Sequence, residues 1–320
     1  MVKRPAFLGL LAATLTGITG RRSAGAQAER RLRVGTMPAD FGGQAYYAKE
    51  LGMFAKAGFT DAEVTSLNSG NAIAAAALAA SLDVGYSNVL SLAIAHDKGI
   101  PLMILAGANV YDAREPTVGL IAVLRGSPIK TAADLTGKTI ATGALKNITE
   151  IGARNWIDAT GGDSNKVKFV EIPNPAIAAA LLAGRADAGI MNQGDYPTLG
   201  KPDDPIRVIA NAFSSIAPRF ISGAWFSTAD WIAKNPADAR AFVTIMNDAA
   251  TWANSHHAES AVILGRYLKE SSTAIEASAR VAFASNVNTA LLQPSIDVAA
   301  KYGVIKSAFP ARDFISNLAV

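Results

Sequence analysis

The feature that most constrains the fold is an alternation of short apolar strands and helices that occurs twice along the chain. The first set runs from Leu32 to Gly107 and the second from Val118 to Met191. Strands that alternate with helices pair in parallel, because each helix carries the chain back to the starting edge of the sheet. The sequence therefore predicts an α/β protein in which each lobe is a mostly parallel sheet flanked by helices.

The individual elements are predicted from apolar runs of strand or helix length. The first set has strands at 32–37, 62–67, 84–87 and 102–107, and helices at 44–57, 71–81 and 89–98. The second set has strands at 118–124, 139–141, 167–172 and 188–191, and helices at 131–135, 149–160 and 175–183. Two strands at 207–210 and 221–226 follow, and then helices at 236–256, 258–269, 273–284 and 294–302.

Polar or proline-containing stretches separate the second set from its flanks, at 112–116 and 212–218. We therefore predict that the second lobe is inserted into the first, so that two connections form a hinge and a cleft lies between the lobes. The predicted division is lobe 1 at 29–113, lobe 2 at 114–218, and a return to lobe 1 with the C-terminal helices at 219–320.

The first 28 residues have the features of a secretory signal peptide. Lys3 and Arg4 precede an uncharged stretch at 5–20, and residues 26–28 read Ala-Gln-Ala, a typical cleavage pattern. The apolar stretch is shorter than the ~20 residues that a membrane-spanning helix needs. The chain has no cysteine for lipid attachment, so we predict a free periplasmic protein.

The positive net charge belongs to the same segment. It contains four of the 30 basic residues and none of the 26 acidic ones, which leaves 26 of each in the mature chain. A chain of zero net charge without a basic stripe gives no reason to expect nucleic acid as a partner.

Motifs of known enzymes are incomplete. The Gly137-Lys138-Thr139 sequence ends like a phosphate-binding loop, but Ala132 stands where the loop requires its first glycine. The three histidines have no metal-ligand partner at helical spacing, and no cysteine is available as a nucleophile or metal ligand. We therefore predict no cofactor, no metal site and no enzymatic activity.

Small polar residues follow several predicted strands and begin the next helices. Such turns occur at 68–71, 87–88 and 142–147. In a parallel sheet these turns all lie at the carboxyl edge, where ligands bind, and each helix start offers free backbone N–H groups. For each turn taken alone, N-capping is the better explanation, but the three together with the first strand-to-helix turn favour a shared ligand cleft.

The first strand-to-helix turn, 37–43, contains an aromatic ring and two adjacent glycines. Gly42 and Gly43 allow the backbone to approach a ligand closely. We expect Phe41 to cover or stack on that ligand, with packing into the interlobe core as the alternative.

Several segments together resemble a known family: RVGTM, AYYAKELGMFAKAGF, NSGNAIAAAALAASLDVGYSN and, later, GSPIKTAADLTGKTIAT. They resemble the periplasmic substrate-binding proteins of ABC importers, in the branch that includes binders of nitrate, sulfonate, taurine and thiamine pyrimidine. The resemblance covers nearly all of residues 32–255 and implies the two-lobed periplasmic-binding-protein fold of type II, with a hinge of two crossover segments. It also implies a receptor that closes on one small molecule and delivers it to a permease in the inner membrane. We expect a monomer.

The resemblance further implies which residues bind the ligand: Phe41, Gly42, Gln44, Ser69, Gly70, Asn71, Tyr86, Ser87, Asn88, Asn109, Tyr111, Lys146, Asn147, Thr149, Asn192 and Gln193. Many family members carry an acidic residue and a proline after the last strand of lobe 2, where this chain has the amides Asn192 and Gln193. The pyrimidine-synthase branch depends on a cysteine-rich motif, and the absence of cysteine excludes that enzymatic relative.

The ligand itself is predicted from two features. Lys146 beside a helix start favours an anion, and the aromatic residues near the strand ends favour an organic body. We therefore predict a small organic anion, a sulfonate or carboxylate, with an aromatic ring as one option. Two alternatives remain open: an exported lyase- or dehydratase-like enzyme that uses the same cleft, and the ligand-sensing subunit of a signalling system.

Overall fold

A computed structural model describes Met1, residues 30–196 and residues 198–319. The predicted signal peptide, apart from Met1, lies outside the described residues. The first lobe begins with strands that alternate with helices, as the sequence predicts. Its elements are β1 (Arg31–Thr36), α1 (Gly43–Glu50), α2 (Met53–Lys56), β2 (Asp61–Ser66), α3 (Gly70–Leu78), β3 (Val84–Asn88), α4 (Val89–Asp97) and β4 (Leu102–Gly107).

A short strand, β5 (Asn109–Asp112), carries the chain to the second lobe. The elements of the second lobe are β6 (Leu120–Leu124), β7 (Thr139–Thr142), α5 (Ile148–Ala159), β8 (Lys168–Glu171), α6 (Ile177–Leu182), β9 (Ala188–Met191) and β10 (Ile206–Asn211). The chain then returns through β11 (Arg219–Ile221), β12 (Gly223–Thr228), α7 (Ala229–Lys234), α8 (Pro236–Ala253), α9 (His257–Leu268), α10 (Ser272–Glu276), β13 (Ala282–Phe283) and α11 (Thr289–Lys301).

The two lobes have sheets of the same design. The strand orders are β2-β1-β3-β12-β4 in the first lobe and β10-β6-β9-β7-β8 in the second. All strands of the first sheet are parallel except β12, and all strands of the second are parallel except β6. The prediction of two mostly parallel sheets is therefore confirmed.

The one antiparallel strand of each sheet is the strand by which the chain enters that lobe from the hinge. It begins at the edge where the parallel strands end, because that edge faces the other lobe. The starts of β6 and β12 therefore join the carboxyl ends of the parallel strands along one cleft.

The hinge is a three-stranded antiparallel sheet in the order β11-β5-β13. Strands β5 and β11 are the two crossover segments, and β13 adds a third strand. The predicted helix at 273–284 is wrong here, because α10 ends at Glu276. Two hydrogen bonds hold this segment extended instead. Nδ2 of Asn254 donates to the carbonyl of Phe283 (2.8 Å), and the N–H of Phe283 donates to Oδ1 of Asn254 (2.9 Å).

Four other predicted elements differ from the structure. The predicted helix at 131–135 is only a 3-10 turn at Ala133–Leu135. The helix at 44–57 is divided by Gly52, which takes a left-handed φ of 67°. The strand at 221–226 is divided at Ser222 into β11 and β12. The last helix begins at Thr289, five residues before Pro294, because Asn288 caps it through the N–H groups of its first turn.

The C-terminal helix α11 links the two lobes behind the cleft, where it packs against α4 and α5. At its end, Nζ of Lys301 donates to Oδ1 of Asn155 (2.6 Å), and the hydroxyl of Tyr302 donates to Oδ2 of Asp158 (2.7 Å). The back of the molecule is thus closed, and the strand ends meet on the open side.

Candidate ligand-binding site

The strand ends of the two lobes meet around a cavity of about 120 Å³, which we call the central cavity. Its lining residues follow the parallel strands or lie where β6 and β12 begin, the usual place for a ligand in an α/β sheet. The first lobe contributes Met37, Phe41, Gly70, Tyr86, Asn88, Asn109 and Ser222, and the second contributes Val118, Asn147, Ile148, Thr149, Asn174, Asn192 and Phe213.

The lining of the central cavity is polar but not ionised. Five asparagines supply amide groups, and Tyr86, Thr149 and Ser222 supply hydroxyls. None of the described lining residues is Asp, Glu, Lys, Arg or His. Burial raises the pKa of Tyr86, so its phenol stays neutral. The cavity can donate and accept several hydrogen bonds, but it has no charged side chain to pair with a ligand.

A cavity of about 310 Å³, the mouth cavity, adjoins the central cavity and shares Phe41, Val118 and Asn192 with it. Its charged lining residues are Asp40 and Glu270 from the first lobe and Asp195 from the second. No basic side chain lines it within the described part of the chain. This end of the cleft is therefore acidic.

A third cavity of about 610 Å³, the side cavity, lies between α3 and α4 of the first lobe and the turn at 145–147 of the second. Its lining is mostly apolar, with Lys98 and Lys146 as its charged residues, and Asn147 lines both this cavity and the central one. Lys146 is exposed and has a left-handed φ of 55°. Lys146 therefore lies beside the central cavity and not in it.

The turn that carries Phe41 is compact. It forms a single 3-10 turn at Asp40–Gly42, and the Phe41 ring stacks on the ring of Tyr86 with centroids 5.7 Å apart. A side chain at Gly42 would come within 2.3 Å of the carbonyl oxygen of Met37. The glycine thus allows the turn to pack on itself, and the turn presents Phe41 to both the central and the mouth cavity.

An ion pair holds this turn against the segment before β13. Nη2 of Arg280 donates to Oδ1 of Asp40 (2.8 Å) and to the hydroxyl of Tyr47 (2.8 Å), while the N–H of Val281 donates to Oδ2 of Asp40 (2.9 Å). The side chains of Arg280 and Asp40 are only 6% and 11% exposed. The position of Phe41 therefore depends on a nearly buried ion pair.

A hydrogen-bond network forms the wall of the central cavity on the first-lobe side. The hydroxyl of Tyr86 donates to Oδ1 of Asn109 (2.7 Å), and Nδ2 of Asn109 donates to Oγ of Ser222. A side chain at Gly223 would lie 2.1 Å from Oδ1 of Asn109. The network joins β3, β5 and the start of β12, so it links the first-lobe sheet to the hinge.

Helix α5 begins at the second-lobe side of the central cavity. Oδ1 of Asn147 accepts hydrogen bonds from the N–H groups of Thr149 (3.0 Å) and Glu150 (3.2 Å) and from Oγ1 of Thr149 (2.6 Å). Helix α3 begins opposite with Gly70, where a side chain would lie 2.3 Å from Oγ of Ser87. The first residues of two helices from different lobes therefore line the same cavity.

Half of the predicted site residues line the central cavity: Phe41, Gly70, Tyr86, Asn88, Asn109, Asn147, Thr149 and Asn192. The other eight lie around or behind it. Gly42 lies beneath the Phe41 turn, and Ser69 caps α3. The side cavity is lined by Asn71, Ser87 and Lys146. Gln193 donates to the carbonyl of Leu199, and Gln44 and Tyr111 lie in the interior.

Gln44 and Tyr111 are almost completely buried. Oε1 of Gln44 accepts from Nε1 of Trp225 (2.9 Å), and its Nε2 donates to the carbonyl of Met246 (3.1 Å). The ring of Tyr111 packs edge-on against Phe213. These contacts give both residues a role in the interior of the protein.

Six lining residues of the central cavity are not among the predicted site residues: Met37, Val118, Ile148, Asn174, Phe213 and Ser222. Asn174 follows a predicted strand and precedes a predicted helix, so the criterion applied to the other turns would have found it. Val118 and Ser222 lie where antiparallel strands begin, and a pattern of alternating strands and helices does not reveal strand direction at the hinge.

The carboxyl group of Asp195, at the mouth cavity, has a raised pKa. Burial is the main cause, opposed by the hydrogen bond from Nδ2 of Asn192 (2.8 Å) and reinforced by the negative charge of Glu270. A raised pKa means that the folded protein holds the proton more tightly than the unfolded chain. The carboxyl group therefore makes the folded state less stable as pH rises above the ordinary pKa of an aspartate.

We expect Asp195→Asn to be more stable than the wild type at neutral pH, with the difference vanishing below about pH 4, where an unfolded aspartate is also protonated. Urea unfolding at a series of pH values measures this difference. Asp203→Asn, at an exposed aspartate of the same lobe, is the matched control. A variant that is less stable at neutral pH, or a gain that does not depend on pH, would contradict the prediction.

Within the described residues, no three His, Asp or Glu side chains are placed to share a metal ion. None of the helices in this part of the chain combines the length and the apolar character needed to cross a bilayer.

The model of the family described as NMT1/THI5 like matches residues 42–260, more than half of the chain. Comparison with curated protein sequences finds no match.

Three solved structures have a similar fold. The periplasmic aliphatic sulphonate binding protein SsuA from Escherichia coli has a TM-score of 0.73 and 17% identity, over 90% of this chain and 92% of its own. The SsuA protein from Xanthomonas axonopodis pv. citri, bound to MOPS, has a TM-score of 0.71 and 17% identity, over 89% and 98%. The periplasmic nitrate-binding protein NrtA from Synechocystis PCC 6803 has a TM-score of 0.71 and 15% identity, over 91% and 87%. At these identities the similarity shows the fold, and the predicted two-lobed fold is confirmed.

Proposed function

The chain belongs to the NMT1/THI5-like family, and on this premise we propose that it is an extracytoplasmic solute receptor. It binds a small organic ligand between its two lobes and delivers the ligand to an ABC-type permease. The observation that carries the proposal is the central cavity, because side chains from both lobes line it at the carboxyl ends of their strands.

A cavity shared between lobes explains how such a receptor signals that it is loaded. A ligand stabilises the closed state only if it makes contacts there that it lacks in the open state. Phe41, Tyr86 and Asn88 would supply contacts from the first lobe, and Asn147, Thr149 and Asn192 from the second. The ligand would thus bring the lobes together around the hinge sheet.

The proposed ligand is a small organic anion, a sulfonate or a carboxylate. The amide and hydroxyl groups of the central cavity, together with the N-termini of α3 and α5, can hold negative charge without a basic side chain. Names of the similar structures include sulfonate and nitrate binding, which agrees with an anionic ligand. Phe41 can stack on an aromatic ring, and the mouth and side cavities leave room for an organic body.

Receptor function explains the central cavity better than catalysis does. An acid–base mechanism needs a titratable side chain within hydrogen-bond reach of the substrate. The only such group in the described lining of the central cavity is the neutral phenol of Tyr86.

The proposed location of the protein is the periplasm, and the proposed signal peptide, residues 1–28, is removed on export. A sensing role would use the same closed form, with a signalling protein in place of the permease.

The proposal is tested with the mature protein and a panel of alkanesulfonates, benzenesulfonate, benzoate and the neutral analogue benzamide. We expect at least one anion to raise the melting temperature and to reduce the radius of gyration measured by small-angle X-ray scattering. Benzamide should do neither. If no sulfonate or carboxylate in the panel changes either quantity, the proposed ligand class is wrong.

Replacing the ring of Phe41 tests whether this ligand occupies the cleft. We expect Phe41→Ala to weaken binding of the best anion in the panel about tenfold, because a stacked ring loses its partner. Isothermal titration calorimetry measures the affinity. Phe169→Ala is the matched control, since Phe169 is a half-buried ring of the second lobe that packs under the guanidinium of Arg154. Equal affinities for the wild type and Phe41→Ala would remove Phe41 from the site.

A further inference from the structure

A separate cavity of about 380 Å³, the hinge cavity, lies beside the hinge sheet. It shares no lining residue with the central cavity and only Thr117 with the mouth cavity. Its other lining residues lie on or beside the three strands of the hinge sheet: Val110, Tyr111, Asp112, Arg114, Glu115, Arg219, Arg280 and Ala282.

The hinge cavity has more positive than negative side chains in its lining. Arg114, Arg219 and Arg280 carry positive charge, whereas Asp112 and Glu115 carry negative charge. The charge of Arg280 is balanced by Asp40, which does not line this cavity. Asp112 forms ion pairs with two of the arginines. Its Oδ2 lies 2.5 Å from Nη2 of Arg114 and 3.9 Å from Nε of Arg219. Hydrogen bonds from Arg114 are the main reason that the pKa of Asp112 lies below its usual range. The arginines thus compete for one carboxylate.

Two of the arginines are largely exposed to solvent. The side chains of Arg114 and Arg219 are 84% and 58% exposed, and Asp112 is their shared ion-pair partner. A guanidinium binds an oxyanion through two parallel N–H groups, which an exposed side chain can direct towards the cavity. The lining therefore contains two adaptable anion-binding groups on different strands or turns of the hinge.

Two buried donor groups belong to residues that line the hinge cavity. The hydroxyl of Tyr111 and Nε of Arg280 are buried and have no hydrogen-bond partner among the described residues. Burial is the main reason that the pKa of Tyr111 is raised to about 12, so the phenol keeps its proton and remains a donor. Polar groups in protein interiors normally have partners. These two donors can therefore accept a partner from a bound molecule.

From the three arginines, the shared carboxylate and the unpaired donors, we propose that the hinge cavity is a second binding site, which takes a small inorganic oxyanion such as sulfate. Arg114 and Arg219 bind its oxygens, and Nε of Arg280 adds a donor from the third segment of the hinge. An anion held there links residues on β5, β11 and the segment before β13, so its binding resists relative movement of the lobes.

The test is titration of the mature protein with sodium sulfate at constant ionic strength, followed by calorimetry. We expect one sulfate to bind, and we expect Arg219→Gln and Arg114→Gln each to weaken it about tenfold, because each removes a charge-assisted bond. Arg312→Gln is the control, because Arg312 is 80% exposed and does not line the cavity. Absence of sulfate binding to the wild type, or equal affinities in all variants, would overturn the proposal.

Two further titrations show whether sulfate binds at the hinge or in the cleft, and whether the hinge site prefers an inorganic or an organic anion. Asn88→Asp places negative charge in the central cavity, so it weakens sulfate bound in the cleft and leaves sulfate bound at the hinge unaffected. Loss of sulfate binding in Asn88→Asp alone would place the anion in the cleft and overturn the hinge site. Methanesulfonate has one charge fewer and should bind more weakly than sulfate; tighter binding would overturn the assignment to an inorganic anion. The hinge site does not depend on the proposed function, since its variants leave the central cavity intact.

Discussion

Replacing Asp40 with alanine should lower the free energy of unfolding by about 3–5 kcal/mol, the typical cost of leaving a buried charge without its partner. Arg280 is the charge concerned, with a side chain only 6% exposed and its Nη2 2.8 Å from Oδ1 of Asp40. The N–H of Val281 would also lose its acceptor. Because Asp40 begins the turn that carries Phe41, the variant should bind the cleft ligand poorly as well.

Urea unfolding followed by circular dichroism measures the loss. Asp230→Ala is the matched control, because Asp230 forms an ion pair with Lys234 in which both side chains are at least 70% exposed, and such pairs contribute little. The double variant Asp40→Leu/Arg280→Met should recover much of the loss, since it removes both charges and keeps the volume. If Asp40→Ala and the control differ by less than about 1 kcal/mol, the ion pair does not hold the turn.

Replacing Asn109 with alanine should lower the free energy of unfolding by about 2–3 kcal/mol, because it leaves the buried hydroxyl of Tyr86 without its acceptor and removes the amide donor to Oγ of Ser222. Asn109 is only 6% exposed, so solvent does not replace the lost amide readily. The same change removes a lining residue of the central cavity, and we expect weaker ligand binding in addition.

A double-mutant cycle distinguishes this network from a general effect of a smaller side chain. Tyr86→Phe removes the donor of the bond to Oδ1 of Asn109. The double variant Tyr86→Phe/Asn109→Ala should therefore lose less free energy of unfolding than the two single variants lose in sum, by about 1 kcal/mol. Asn165→Ala, at an exposed asparagine, is the control for the substitution itself. Strict additivity of Tyr86→Phe and Asn109→Ala would show that the two side chains do not act together.

The candidate site was predictable where it depended on strand ends. Gly70, Asn88, Asn147 and Thr149 lie at helix starts after parallel strands, and all four line the central cavity. The sequence could not show which neighbouring side chain faces the cavity. Gln44 follows the Phe41 turn directly but points into the interior, where it pairs with Trp225, 181 residues away. A turn is encoded locally, whereas the direction of each side chain depends on what packs against it.

The sequence by itself determined the α/β class, the two sheets and the cleft between their strand ends, because strand and helix periodicity is a property of neighbouring residues. Only the tertiary structure decided the direction of β6 and β12, the third hinge strand and the ion pair between Asp40 and Arg280, which are 240 residues apart. These features depend on contacts between distant segments, and such contacts exist only once the chain has packed. The same reason places Lys146 beside the central cavity and leaves that cavity lined by neutral groups alone.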